Sequence, residues 1–239
     1  MKVIGPLKSN VQYIFSGQGE KIDKEIFIKS NLHVKVKERY SFSELTIPED
    51  LRAESIKFLR GVFKQGSANI VIEELSVGNI GMTVNVIGES STAIAVIDDF
   101  CKMVDEAQLF EPLLGTAPEK NFETVGRVNI DVSPEKFLNP LLVQCLKGIQ
   151  SEFQKEDFDI ELHPNALAVA FVFKPNLERL SRKSLNAADL SRISEVTSKT
   201  LVINVHGIDD FYNRVFRVDL DADSTIFLKA LRNLEKVLS

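Results

Sequence analysis

Residues 132–175 read VSPEKFLNPLLVQCLKGIQSEFQKEDFDIELHPNALAVAFVFKP. Ser133-Pro134-Glu135 marks a helix start, because proline fits a first helical position whose N–H has no partner anyway. Phe137 to Phe153 supplies the apolar run of that helix, and Pro140 should kink or divide it near Asn139. Two short strands, 157–162 and 166–173, then turn at Pro164-Asn165. An earlier stretch follows the same plan. Thr46-Ile47-Pro48-Glu49 opens a helix with capping-box spacing, Leu51 to Phe63 carries it to a stop at Gly66, and strands 69–75 and 80–87 turn at Gly78-Asn79. Thirty residues separate Pro48 from Gly78, and thirty separate Pro134 from Pro164. The identities hardly match, so this is an echo of architecture and not a demonstrated duplication.

Outward from these two stretches the elements are coarser. Val11 to Phe15 reads as a short strand. Ile26, Ile28, Leu32, Val34 and Val36 interleave with lysines, so residues 25–40 are expected to form a half-buried strand. Ser90 to Gln108 is the most apolar helix, its stripe of Ile94, Ile97, Cys101 and Val104 widened by Val96, Phe100 and Met103 for packing onto a sheet. Residues 110–122, with Pro112, Gly115 and Pro118, read as a packed connection. After it come a strand at 125–132, the stretch quoted above, a charged loop at 175–186 and a helix at 187–198. Strands at 200–205 and 215–220 precede a closing amphipathic helix carrying Phe227, Leu231, Leu234 and Leu238.

The expected fold is α+β: two tandem strand–helix–strand–strand–helix units of the ferredoxin-like split βαβ type, with largely antiparallel sheet and helices on one face. The expected units are residues 1–110 and 119–239, packed together as one compact body.

Composition narrows the function classes. With 44% hydrophobic and 26% charged residues, the chain is an ordinary globular one. No apolar run reaches the ~18 residues of a membrane helix, and the N-terminus lacks the apolar core of a signal peptide, so a cytoplasmic location without a membrane partner is expected. A net charge of −5 argues against devoted non-specific nucleic-acid binding. A local basic face remains, with Lys29, Lys35, Lys37 and Arg39 along the strand expected at 25–40, and Arg179, Arg182 and Lys183 in a later loop. Cys101 and Cys145 both fall among apolar residues and read as reduced core cysteines.

The motifs mostly fail on inspection. Gly17-Gln18-Gly19 lacks the third glycine of a dinucleotide fingerprint. Asp219, Asp221 and Asp223 invite a calcium loop, but Ser224 and Ala230 stand where glycine and glutamate are needed; Asp223 or Ser224 reads instead as the cap of the last helix. Gly88-Glu89-Ser90-Ser91 lacks the second glycine of a nucleophile elbow, and serine capping explains it. Of three histidines, His33 is out of phase with the apolar positions around it and His163 sits in a turn. His206, at a strand end with Asp209 and Asp210 close behind, is a candidate general base. Asp159 and Glu161 share one strand face and could act as paired carboxylates. No motif calls for a cofactor or a metal.

The sequence therefore points to a non-catalytic binding or assembly module acting through protein–protein contacts, with itself or another protein. The alternatives are a hydrolase or nucleic-acid-processing enzyme using His206 with Asp209 or Asp210, or Asp159 with Glu161, and a nucleic-acid binder using the Lys29–Arg39 face with Tyr40 or Phe42 for stacking.

Overall fold

The computed structural model describes residues 2–15, 21–113, 118–129, 144, 166–172, 198–204 and 214–238. The elements are, in order, β1 (Lys2–Val3), β2 (Lys8–Ile14), α1 (Lys24–Lys29), α2 (Leu32–Arg39), β3 (Glu44–Thr46), β4 (Ile56–Gln65), β5 (Ala68–Val77), β6 (Gly81–Ile87), α3 (Ser90–Glu106), β7 (Glu119–Asn129), β8 (Ala166–Val172), β9 (Ser198–Asn204), β10 (Val215–Leu220) and α4 (Ser224–Leu238). The fold is mixed α+β, and every strand register described is antiparallel. The chain divides into two compact units. The larger comprises Val3–Arg127 with Ala222–Asn233, and the smaller comprises Met1–Lys2, Val128–Asp221 and Leu234–Ser239.

In the larger unit the strands lie in the order β3-β4-β5-β6-β2-β7. Along β2 and β6 the alternation is strict. Val11 and Tyr13 pair with Val84 and Met82, and all four are buried. Ile56, Phe58, Ile72, Leu75, Val77 and Val86 extend the same face. Against it packs α3, which turns Ala93, Val96, Ile97, Phe100, Cys101 and Val104 inward at helical spacing. Phe27 of α1 and Leu32 and Val36 of α2 join this core, with the Phe27 and Phe100 rings 6.3 Å apart. Asp23 caps α1, its carboxylate accepting from the N–H groups of Glu25 and Ile26 at 2.8 and 3.0 Å. Phe227 of α4 is seated over Gly126, where a Cβ would come within 2.9 Å of its ring.

Two elements differ from the sequence reading. Residues 25–40 form two helices and not a strand. The residues that go inside, Phe27, Leu32, Val36 and Tyr40, repeat at four to five positions around a turn at Asn31, whose φ is +59°. Residues 51–63 form no helix. Asp50 caps a short turn through the N–H groups of Arg52 and Ala53, and β4 follows from Ile56. The strand expected at 125–132 begins earlier, at Glu119. The strand–helix–strand–strand–helix order expected for residues 1–110 is accordingly replaced by two strands, a helix pair, a four-strand meander and a helix. Strand β2 is antiparallel to both its neighbours, β6 and β7, whereas a βαβ crossover joins parallel strands.

In the smaller unit β9 lies between β8 and β10, antiparallel to both. Phe216, Val218 and Leu220 of β10 are buried on one face, and on the other Arg217 donates to Asp219 at 2.9 Å. The strands expected at 166–173, 200–205 and 215–220 are present. Apart from residue 144, and residue 198 at the start of β9, the helices expected at 134–153 and 187–198 and the strand at 157–162 lie outside the described residues.

Candidate functional site

Among the described residues, no helix packs on the other face of the larger unit's sheet. Because side chains alternate along a strand, the positions between the buried ones on β2 and β6 share this face, and the pairing registers set them in rows. One row runs Leu59, Glu74, Asn85, Asn10, Glu123 across β4, β5, β6, β2 and β7. The next runs Lys57, Ser76, Thr83, Gln12, Asn121. On the far side of the first row lies a third, Val62, Val71, Ile87, Lys8, Val125. Most of these side chains are half-buried, while Lys57, Gln12, Asn121 and Lys8 are exposed and Val71 is 44% exposed.

Directly opposed side chains in such rows sit ~5 Å apart, close enough to bond one another. Asn121 Nδ2 donates to Gln12 Oε1 at 3.4 Å, and Lys8 pairs with Glu73. Five strands and three rows give a platform about 19 Å across the strands and about 13 Å along them. Its polar part consists of amides, hydroxyls, carboxylates and the Lys57 ammonium, with both donors and acceptors, and its apolar part is Val62, Val71, Ile87 and Val125, a row interrupted by Lys8, with Leu59 in the row beside it. The surface can form hydrogen bonds and bury a strip of hydrocarbon.

A second concavity, of about 290 Å³, is lined by Asp23, Lys24, Glu25, Leu51, Arg52 and Asn79. Several of its charged groups already serve the fold. Lys24 is buried and donates to the Glu54 carbonyl, Asp23 caps α1, and Glu25 accepts from Lys29 at 2.9 Å.

The residues singled out in the sequence fall as follows. Lys29 is on α1 in that pair with Glu25. Lys35 and Lys37 are on α2, the first exposed and the second half-buried. Arg39, at the end of α2, binds Asp99 of α3 with both ends of its fork, at 2.6 and 2.8 Å. Tyr40 is fully buried and donates its hydroxyl to the same carboxylate at 2.7 Å. The Arg39 hydrogen bonds hold the Asp99 carboxyl below the usual range, and burial, then the Asp99 bond, pushes the Tyr40 phenol up. This cluster fastens α2 to α3. Phe42 is buried as well, so neither ring is presented for stacking. Burial pushes the Cys101 thiol up to about 12, and its Sγ lies 3.9 Å from Met82 Sδ. His33 is half-buried on α2, with a buried Nδ1 that has no hydrogen-bond partner. Asp159, Glu161, His206, Asp209 and Asp210 lie outside the described residues, as do Cys145 and His163.

The open rows were not singled out from sequence. Their signal is the strict alternation of residues 9–13 (SNVQY) and 82–86 (MTVNV), in which the intervening positions are amides and a hydroxyl rather than the usual charges. No protein-family model matches the chain, and no curated protein matches it.

Proposed function

We propose that the chain is a non-catalytic binding module that acts through protein–protein contacts, and that the open face of the larger unit's sheet is its contact surface. The observation that carries this reading is the ordering of that face. Polar rows with mixed donors and acceptors lie beside one apolar row, the mixture of hydrogen-bonding and hydrocarbon area that protein interfaces contain. Val71 in that row is 44% exposed, apolar area that a partner would remove from water.

The test places a photo-activated cross-linking residue at Gln12, on the open face, or at Lys102, on the exposed side of α3, in the native host. The expected result is a discrete protein adduct from Gln12 and none from Lys102. The adduct's component, purified and recombined with this chain, should lose its binding when Asn85→Arg is introduced, with the melting temperature unchanged. Equal labelling from both positions, or binding indifferent to Asn85→Arg, overturns the reading.

A further inference from the structure

We infer that the concavity lined by Asp23, Lys24, Glu25, Leu51, Arg52 and Asn79 is a ligand site for a small zwitterion of the α-amino acid class. None of these residues lies in the rows of the open face, so the inference is independent of the contact surface. A volume of about 290 Å³ is at the small end of ligand pockets, ~300–1,000 Å³, which suits one small metabolite and not a nucleotide.

The fold leaves charge of both signs unused there. Glu25 is taken by Lys29, and the buried Lys24 ammonium donates to the Glu54 carbonyl. Asp23 is half used. Its Oδ1 accepts both N–H groups at the start of α1, while its Oδ2 has no hydrogen-bond partner among the described residues. The Arg52 guanidinium has neither a hydrogen bond nor an ion pair among the described residues. The nearby Asp50 carboxylate is bonded to the backbone N–H groups of Arg52 and Ala53 and not to that guanidinium. Asp23 and Arg52 thus line one cavity without bonding to each other, and each keeps its charge for a ligand that carries both signs.

An α-amino acid supplies that complement in one molecule. Its carboxylate matches the planar fork of Arg52, which binds carboxylates through two parallel N–H···O bonds, and its ammonium matches Asp23. Leu51 offers hydrocarbon to an apolar side chain. An anion alone would meet the carboxylates of Asp23 and Glu25, and a cation alone would meet Lys24 and Arg52. Arg52 is exposed, so its contact is weakened by water, and an affinity in the millimolar range is expected.

The test titrates L-leucine into the isotope-labelled full chain and follows the backbone amides by NMR. Saturable shifts are expected at residues 23–25, 51–52 and 79. Arg52→Gln removes the fork, and Asp23→Asn removes a charge while keeping a good helix cap; both should melt as the wild type does and bind leucine at least fivefold more weakly. Two analogues separate the ends of the ligand. N-acetyl-leucine, which lacks the ammonium, should be sensitive to Arg52→Gln alone, and leucine amide, which lacks the carboxylate, to Asp23→Asn alone. Should Asp23→Asn not fold, Arg52→Gln with the two analogues still decides. No saturable shift at these amides, binding of leucine unchanged by Arg52→Gln, or binding of the uncharged N-acetyl-leucine amide as tight as that of leucine, overturns the inference.

Discussion

At Asp99 one carboxylate holds two groups that would otherwise be costly. Arg39 is half exposed and would remain hydrated without it, but the Tyr40 hydroxyl is buried and has Asp99 as its acceptor. Removing an acceptor from a buried donor costs about 1–3 kcal/mol, so Asp99→Ala should destabilise the larger unit by that amount in urea unfolding at neutral pH. The pH dependence follows from the direction of the shift. The folded carboxyl titrates below its ordinary value of 3.8, so in acid the unfolded chain takes up the proton first. The stabilisation is complete above that value and disappears as the pH falls through the folded one. The gap between wild type and Asp99→Ala should thus narrow as the pH is lowered from 7 to 3. A gap that stays constant would mean that Asp99 acts through packing and not through its charge. Nothing in the sequence marked this aspartate: it falls outside the apolar stripe of the helix, and the contact depends on a residue 60 positions away.

Whole elements were legible where one periodicity held throughout. In α3 and α4 the apolar residues repeat at helical spacing from end to end, and in β2, β6 and β10 the alternation is unbroken. The two misread elements fail for opposite reasons. Residues 25–36 alternate by accident, because the lysines and Glu25 fall between apolar residues of which only some go inside; Ile26 and Val34 end up exposed. In β4 the alternation is broken by Arg60, which adopts φ +56° and stands outside the regular pairing, opposite Glu73. Beyond it the phase changes, so that Leu59, Val62 and Phe63 mimic the three-and-four spacing of a helix. The candidate contact face could be read only in part, since the alternation shows which residues share a face of one strand, but the rows depend on registers between strands far apart in sequence. Close approach of strands is also invisible in sequence, and Gly81 shows its effect. A Cβ there would lie 2.4 Å from the carbonyl oxygen of Tyr13 on the neighbouring strand. That obstacle is backbone and cannot swing away. Gly81→Ala should therefore cost about 1–3 kcal/mol, the usual range for overpacking, and should speed hydrogen exchange at the β2–β6 amides in particular. Wild-type exchange in that pair would show that the strands separate freely enough to admit the methyl group.

Across the whole molecule, the last helix completes a unit built mainly from the first half of the chain. Ser224 at the start of α4 and Ser90 at the start of α3, 134 residues apart, exchange hydrogen bonds: Ser224 N–H donates to Ser90 Oγ at 2.9 Å and Ser90 N–H to Ser224 Oγ at 3.3 Å. Each hydroxyl thus satisfies an otherwise orphaned N–H group at the other's helix start, which is the work of a cap done in trans. Asp223 supplies the local cap, accepting from Ile226 N–H at 2.9 Å, and Thr124 of β7 donates to the Ala222 carbonyl at 2.7 Å. Phe227, one turn further on, fills the space that Gly126 leaves beside Leu7 and is fully buried. Deleting a buried phenyl ring typically costs about 3–5 kcal/mol. If α4 is a structural part of the larger unit, Phe227→Ala should lower protection across β2, β6 and β7, not only within α4. Exchange measured residue by residue decides the point: loss of protection confined to residues 224–238 would make α4 an appendage that the sheet does not need.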